Sequence, residues 1–362
     1  MRILYIYNIN HVAKTHGNDL IQRGHSVEVY EPSLKGGHAF LPIKVAMMPE
    51  RILDLRHIVG KLNSKYFDLV HIHWASYGVL GLVSQIPFVV ECHGSDVLYR
   101  LMQPPFVHGL GANVLYHLKQ PLFRPMLTSI FRRSAAVMCI TPDILPPVQM
   151  IRSDAMFFPA PIDTVHFAPE EVMRPRPWTI LLFTRLDPVK GIDVSIQGIA
   201  RFAQRHPDAR VLVFDYGSLR EKYKRLYGER FEFIPRVAQE EVRQLIWSAD
   251  VVVGQFALGA LGLSELQAMS CGKAVIASFL YEGTYANPPP ICQATTAEEI
   301  DRHLENLFQH PEAKKQLEHR AREWVIKYHD SQVLAARLET LYLSILSGRQ
   351  VEPTSSGKVL IS

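Results

Sequence analysis

The chain has 362 residues, 48% of them hydrophobic, which is enough to bury two ordinary cores, so two domains are expected. Its 39 Lys and Arg against 35 Asp and Glu leave a net charge of +4, too small a surplus to argue for a nucleic-acid partner. Cys92, Cys139, Cys271 and Cys292 match no zinc-site spacing, and the first three lie in or beside apolar segments; reduced thiols are expected, not disulfides.

In chain order, the N-terminal apolar run Met1 to Tyr7 is too short for a signal-peptide core, and no run reaches the length of a membrane-spanning helix. A cytoplasmic protein, soluble or held at a membrane surface, is expected. Arg2 to Tyr7 reads as a strand, Val12 to Arg23 as a helix closed by Gly24, and His25 to Tyr30 as a second strand. Leu53 to Leu62 reads as a helix, and Phe67 to His73 and Pro87 to Cys92 as strands. This βαβ alternation predicts a parallel sheet with helices on both faces. Eight prolines punctuate 141–177, keeping much of that segment extended. A second alternating set follows: strands at 179–183, 210–214, 231–234, 250–254 and 273–277, then helices at 297–308, 311–328 and 331–346. The expected organisation is α/β: an N-terminal Rossmann-like domain over 1–168, a linker over 169–177 and a second Rossmann-like domain over 178–330. The helix 331–347 is expected to pack back on the first domain, and 350–362 to form a disordered tail. Two doubly wound halves of this kind are expected to face each other across a cleft, a usual place for small-molecule sites.

Thr184 to Asp193 is the most informative stretch. It joins an apolar strand to a helix and carries Arg185 and Lys190, with Gly191 beside the second. In open parallel sheets ligands collect at the carboxyl ends of strands, and an Arg fork with a Lys point charge suits a diphosphate there. The stretch Gly259 to Met269 follows a later strand. Its glycines permit close backbone approach, and the amides of Leu261, Gly262 and Leu263 would precede a helix N-terminus, where anions are favoured. Ser264 reads as that helix's N-cap, with Gln267 completing a capping box. No Gly-x-Gly-x-x-Gly follows the first strand, and neither a P-loop nor an Asp-x-Asp pair occurs. A bound sugar diphosphate would therefore be neutralised by protein cations and amides instead of a carboxylate-held metal.

These two segments resemble the donor-binding elements of glycosyltransferase family 4. So do Gly24 to Val29, Asp68 to Trp74, Val89 to Asp96 and Pro161 to Phe167, and the resemblance spans about residues 1 to 345. It implies a GT-B fold, a nucleotide-sugar donor, retention at the anomeric carbon and metal-independent transfer without a cofactor. By the same resemblance Arg185 and Lys190 stabilise the departing diphosphate, and His93 contacts the donor sugar with Gly94 and Asp96. Arg236 belongs to the segment whose backbone receives the base, while Leu261, Gly262, Leu263 and Ser264 touch sugar and phosphate. The family's paired glutamates fall on Gly259 and Gln267, and neither is Glu; Gln267 retains only hydrogen bonding towards the ribose.

Asn8 and His11 occupy the first strand-to-helix loop, expected to border the acceptor, though the glycine pair of the family's loop is absent. Asp96 either orients His93 or caps the next helix. His71 and His73, alternating on one strand, read as structural, not as a metal site, and no metal is expected. Between Asp96 and Asp143 there is no acid, while Arg100, Lys119, Arg124, Arg132 and Arg133 interleave with aromatics. That pattern suits either a packed basic helix face or an anionic membrane surface contacted through 97–142. The expected function is a retaining hexosyltransferase acting from a nucleoside-diphosphate sugar on a glycan, lipid or small acceptor. The alternatives are a nucleotide-sugar epimerase or a non-catalytic nucleotide-sugar-binding scaffold.

Overall fold

In a computed structural model of the chain, residues 1–31, 48–101, 123–170 and 177–349 are described. The expected tail at 350–362, linker residues 171–176, and Lys119 lie outside them. The chain forms two compact units, one combining Met1–Pro161 with the C-terminal helix Ser331–Leu346, the other being Ile162–Asp330.

The first unit is built on six parallel strands: β1 (Arg2–Ile6), β2 (Ser26–Tyr30), β3 (Leu69–His73), β4 (Phe88–Cys92), β5 (Ala136–Cys139) and β6 (Met156–Phe157). Their order is β2-β1-β3-β4-β5-β6. Alternation along each strand divides the side chains between two cores. Leu4, Ile72 and Val90 pack with Ile58, Leu62, Leu127 and Ile130 on one face. Ile3, Tyr5, Leu69 and Val89 pack with Leu20, Leu334, Leu338 and Tyr342 on the other. The C-terminal helix thus completes the core of the first unit, because its apolar stripe has the exposed β1–β3 face to cover.

The second unit repeats the plan with β7 (Thr179–Leu182), β8 (Arg210–Phe214), β9 (Glu232–Ile234), β10 (Val251–Val253), β11 (Ala274–Ala277) and β12 (Cys292–Gln293), in the order β12-β11-β10-β7-β8-β9. The sequence reading passed over β5, β6 and β12, which are only 4, 2 and 2 residues long. Residues 162–168, placed in the first domain by sequence, belong with the second unit. Ile162 N donates to His329 O at 2.7 Å, Arg243 Nη1 to His166 O at 3.0 Å and Trp247 Nε1 to Ala168 O at 2.9 Å.

Strand order reverses between β1 and β3 in the first sheet and between β7 and β10 in the second. At such switch points the loops leaving the carboxyl ends diverge to opposite faces and open a crevice. The loops leaving β7 and β10 are those carrying Arg185 with Lys190 and the Gly259–Gly262 turn.

Candidate functional site

In the second unit, register pairing of Val253 with Leu182 sets the ends of β10 and β7 side by side. The loop after β7 turns through Pro188–Lys190 and reaches the helix Ile192–Arg205 through Gly191, whose φ of 72° is left-handed. A Cβ there would meet Ala257 N at 2.9 Å, so only glycine lets the two loops touch. Arg185 is exposed and pairs with Asp187. Burial would raise the Asp187 carboxyl, but Ser218 N and Oγ, each 2.7 Å away, and the Arg185 guanidinium hold it below its usual value. Asp187 is therefore an anion paired with the exposed Arg185 guanidinium. Lys190 Nζ donates to Gln255 Oε1 at 2.5 Å, which carries the link to the loop after β10.

Gln255 also donates Nε2 to Ala260 O at 2.5 Å, and its backbone N donates to Glu265 Oε1 at 2.8 Å. Gly262 N donates to Glu265 Oε2 at 3.0 Å. This corrects the sequence reading of the cap. Gly262 is the N-cap of helix Leu263–Ser270, and Glu265 reaches back to its backbone N, in place of a Ser264 cap with Gln267. Two residues earlier than expected, Glu265 accepts from two amides, and burial raises its carboxyl against the pull of Lys190 and those amides. Gly259 sits at a left-handed φ of 63°, and a Cβ there would meet the side chain of the exposed Leu280 at 2.9 Å, so a glutamate would strain the backbone and require Leu280 to shift. Leu261 and Gln267 are buried, while Gly262, Leu263 and Ser264 are half-buried. Arg236, exposed after β9, lies over the ring of Tyr216, 5.6 Å from its centroid. Tyr216, 46% exposed after β8, was not singled out by sequence, where a tyrosine just past an apolar strand was the available signal.

In the first unit, the loop after β1 holds Tyr7, Asn10 and His11 at φ of 72°, 48° and 64°. Glycines are absent, yet the loop adopts the left-handed backbone that glycines would ease, which stores strain beside a switch point. Asn8 spends its amide on Glu31 Oε1 at 3.1 Å and Lys14 N at 3.2 Å, and His11 is exposed. Asp96 is buried within helix Ser95–Leu101 and ties two loop amides to it: Oδ1 accepts from His93 N at 2.9 Å, which positions the His93 backbone, and Oδ2 accepts from Ala75 N at 2.8 Å. Gly94 turns at φ 110° with open space around it. The His93 side chain is 2% exposed, its Nε2 lying 3.4 Å from Glu91 Oε1 and 3.3 Å from His73 Nδ1. Burial pushes His93 and His16 down to about 3 and His71 down to about 4, so these rings are neutral near pH 7. Burial opposes charge on Glu91, but His73 and His71 hold its carboxyl well below the usual range. Sequence did not single out Glu91; an acid inside the apolar run of β4 was the signal.

The family model "Glycosyl transferase 4-like domain" matches residues 16–149, and "Glycosyl transferases group 1" matches residues 167–324. The chain belongs to the glycosyl transferases group 1 family. It is a glycosyltransferase with the GT-B fold. This glycosyltransferase is 25% identical over 374 residues to a phosphatidyl-myo-inositol mannosyltransferase of Mycobacterium tuberculosis, with 92% of each chain covered. A stretch of 107 residues is 30% identical to the gpi3 subunit of phosphatidylinositol N-acetylglucosaminyltransferase of Schizosaccharomyces pombe, covering 28% of this chain and 23% of that one. The chain therefore spans less than a quarter of that relative. Among solved structures, HepE of Anabaena in complex with UDP and glucose superposes with a TM-score of 0.65 at 13% identity, covering 95% of this chain and 100% of that one. Among the described residues, no helix is long and apolar enough to cross a membrane.

Proposed function

We propose that this glycosyltransferase moves a sugar, with retention at the anomeric carbon, from a nucleoside diphosphate to a lipid-linked acceptor. The observation that carries the reading is the Lys190–Gln255 bond, which joins the cationic loop after β7 to the amide turn after β10 at one switch point. When the bond between the anomeric carbon and the diphosphate oxygen breaks, negative charge grows on the leaving group. Arg185, released from Asp187, and Lys190 stabilise that charge, and the amides of Leu261 to Leu263 hold the phosphates without a metal. Tyr216 and Arg236 receive the base. His93 serves the donor sugar through the turn it makes with Gly94, since its ring is packed inward. Two relatives named for phosphatidylinositol support a lipid acceptor, and HepE holding UDP supports a uridine nucleotide.

A basic groove of about 510 Å³, lined by Arg124, Thr128, Ser129, Arg132 and Arg133, supports peripheral contact with anionic lipid. The absence of a carboxylate at Gly259 and Gln267 favours one rival, a nucleotide-sugar-binding scaffold without turnover.

Nucleoside diphosphate release from a panel of sugar nucleotides tests the assignment. Arg185→Ala and Lys190→Ala are each expected to lower kcat about 100- to 1,000-fold, with melting temperature unchanged for the exposed Arg185 and lowered for Lys190, whose loss takes the donor from buried Gln255 Oε1. Full turnover in either variant removes the clamp. Binding without release from any donor supports the scaffold, and a converted sugar nucleotide supports an epimerase.

A further inference from the structure

The β1–β4 face of the first unit carries a polar cluster inside an otherwise apolar core, and nothing in sugar transfer uses it. His71 and His73 alternate on β3 and so share one face; the register sets Glu91 opposite His73 and Tyr5 opposite His71. Helix Val12–Gln22 lays His16 on the cluster, and the C-terminal helix lays Tyr342 on it. His16, His71, His73 and Glu91 are all 0% exposed. Buried polar groups are normally hydrogen-bonded, but here His71 Nε2, His73 Nε2, both His16 nitrogens and both Glu91 oxygens have no hydrogen-bond partner.

We propose that His71, His73 and Glu91 bind one zinc-type divalent transition-metal ion that locks the first unit together. One donor atom from each residue lies within 4.8 Å of the other two. His71 Nε2 is 3.1 Å from Glu91 Oε2 and His73 Nδ1 is 3.6 Å from Glu91 Oε1. Donors at zinc–ligand distances of about 2.1 Å in a tetrahedron stand about 3.4 Å apart, so these spacings bracket a zinc shell. Two imidazoles and a carboxylate are the donor types of such sites, and His93 Nε2 beside them supplies a fourth donor.

The support beyond the ligands has the form metal sites need. His71 Nδ1 meets Tyr342 OH at 2.5 Å, and Tyr342 OH meets Tyr5 OH at 3.1 Å. This chain fixes the ring so that Nε2 is turned to Glu91. A single proton shared between Glu91 and one imidazole would answer one contact, whereas a cation held by His71 Nε2, His73 Nδ1 and Glu91 answers the carboxylate and the orphaned His71 nitrogen together, with His73 Nε2 and the His16 nitrogens outside its shell. This departs from the structural reading of His71 and His73 made from sequence, because Glu91 and the orphaned nitrogens become visible only in the fold. The site belongs to the first unit, whereas the residues proposed to hold the diphosphate belong to the second.

The test uses the full chain, stripped with EDTA, desalted and confirmed folded by circular dichroism. Titration with zinc chloride, read by calorimetry and by elemental analysis after gel filtration, is expected to return one tightly held zinc per chain. It should raise the melting temperature by about 5 °C, and magnesium chloride should do neither. Cobalt loading is expected to give the intense visible bands of a tetrahedral site. Tyr342→Phe should weaken zinc binding about 10- to 100-fold. Glu91→Gln and His71→Gln should abolish it, while the exposed-site variant His319→Gln keeps it. Stripped, folded wild type that binds no stoichiometric zinc overturns the proposal even if the variants fail to fold. Zinc retained equally by folded His71→Gln also overturns it, by showing that exposed histidines hold the metal.

Discussion

Lys190 shows how one side chain can join two loops. It is half-buried, its ammonium rests on Gln255, and Gln255 rests on the turn that Glu265 caps. The cation is therefore held in place at the switch point, and under the proposed function this lowers the ordering cost of binding a diphosphate. Asp193, one turn further along, carries a simpler charge effect. Lys222 Nζ at 2.7 Å and the Tyr223 hydroxyl both donate to it and hold its carboxyl below the ordinary 3.8. A depressed carboxylate contributes stability above its unfolded value and loses it as pH falls through the folded value. Because the group is 56% exposed, solvent screening limits the contribution to under about 1 kcal/mol. Asp193→Asn is accordingly expected to lower urea stability slightly at pH 7. That difference from wild type should close as the pH is taken well below 3.8, as successive urea titrations would show.

Among the elements, the helix Ile192–Arg205 positions the loop that carries Lys190, and its own position is set by contact with the helix Ala297–Gln309. Gly198 makes that contact close: a Cβ there would stand 2.6 Å from Ile300 Cβ and 2.8 Å from Ala297 O. A backbone oxygen cannot rotate away, so Gly198→Ala should cost about 1–3 kcal/mol through forced separation of the helices. Gly60 is exposed inside the helix Met48–Asn63, and a methyl group added there would meet nothing within 4 Å. Gly60→Ala should therefore stabilise by about 0.5–1 kcal/mol through helix propensity. Chemical denaturation of the two variants side by side checks both signs, and equal shifts would refute the packing argument.

For the whole molecule, the basic helix at 123–133 is the surface on which the proposed lipid contact can be tested. Leu127, Ile130 and Phe131 are buried against the first sheet while Arg124, Arg132 and Arg133 are exposed. Packing and lipid contact are therefore compatible, because the apolar and cationic residues occupy different faces of one helix. Reversing these three arginines to Glu should abolish co-sedimentation with vesicles rich in anionic phospholipid and leave the melting temperature unchanged. Undiminished sedimentation would show that other surfaces make the contact, or none. The C-terminal helix acts at the same scale: the chain's end returns Leu334, Leu338 and Tyr342 to the first core, so the first unit is not a single continuous segment of sequence.

Two parallel α/β units, the longer strands and the Arg185–Lys190 loop were legible in the sequence, because buried parallel strands are continuous apolar runs and switch-point loops sit at their carboxyl ends. The short strands β5, β6 and β12 were not, since periodicity needs length. Local spacing also put the helix cap one residue pair away from where it forms. Glu265 wins that role because its carboxylate reaches the amides of Gln255 and Gly262 together, and Gln255 comes from the strand end preceding the turn. Only the tertiary structure could gather His16, His71, His73, Glu91 and Tyr342, which come from two helices and two strands of the first unit. Sequence determines which side chains alternate onto a face, but which faces meet is decided by the order in which strands pair and by the helix that covers them.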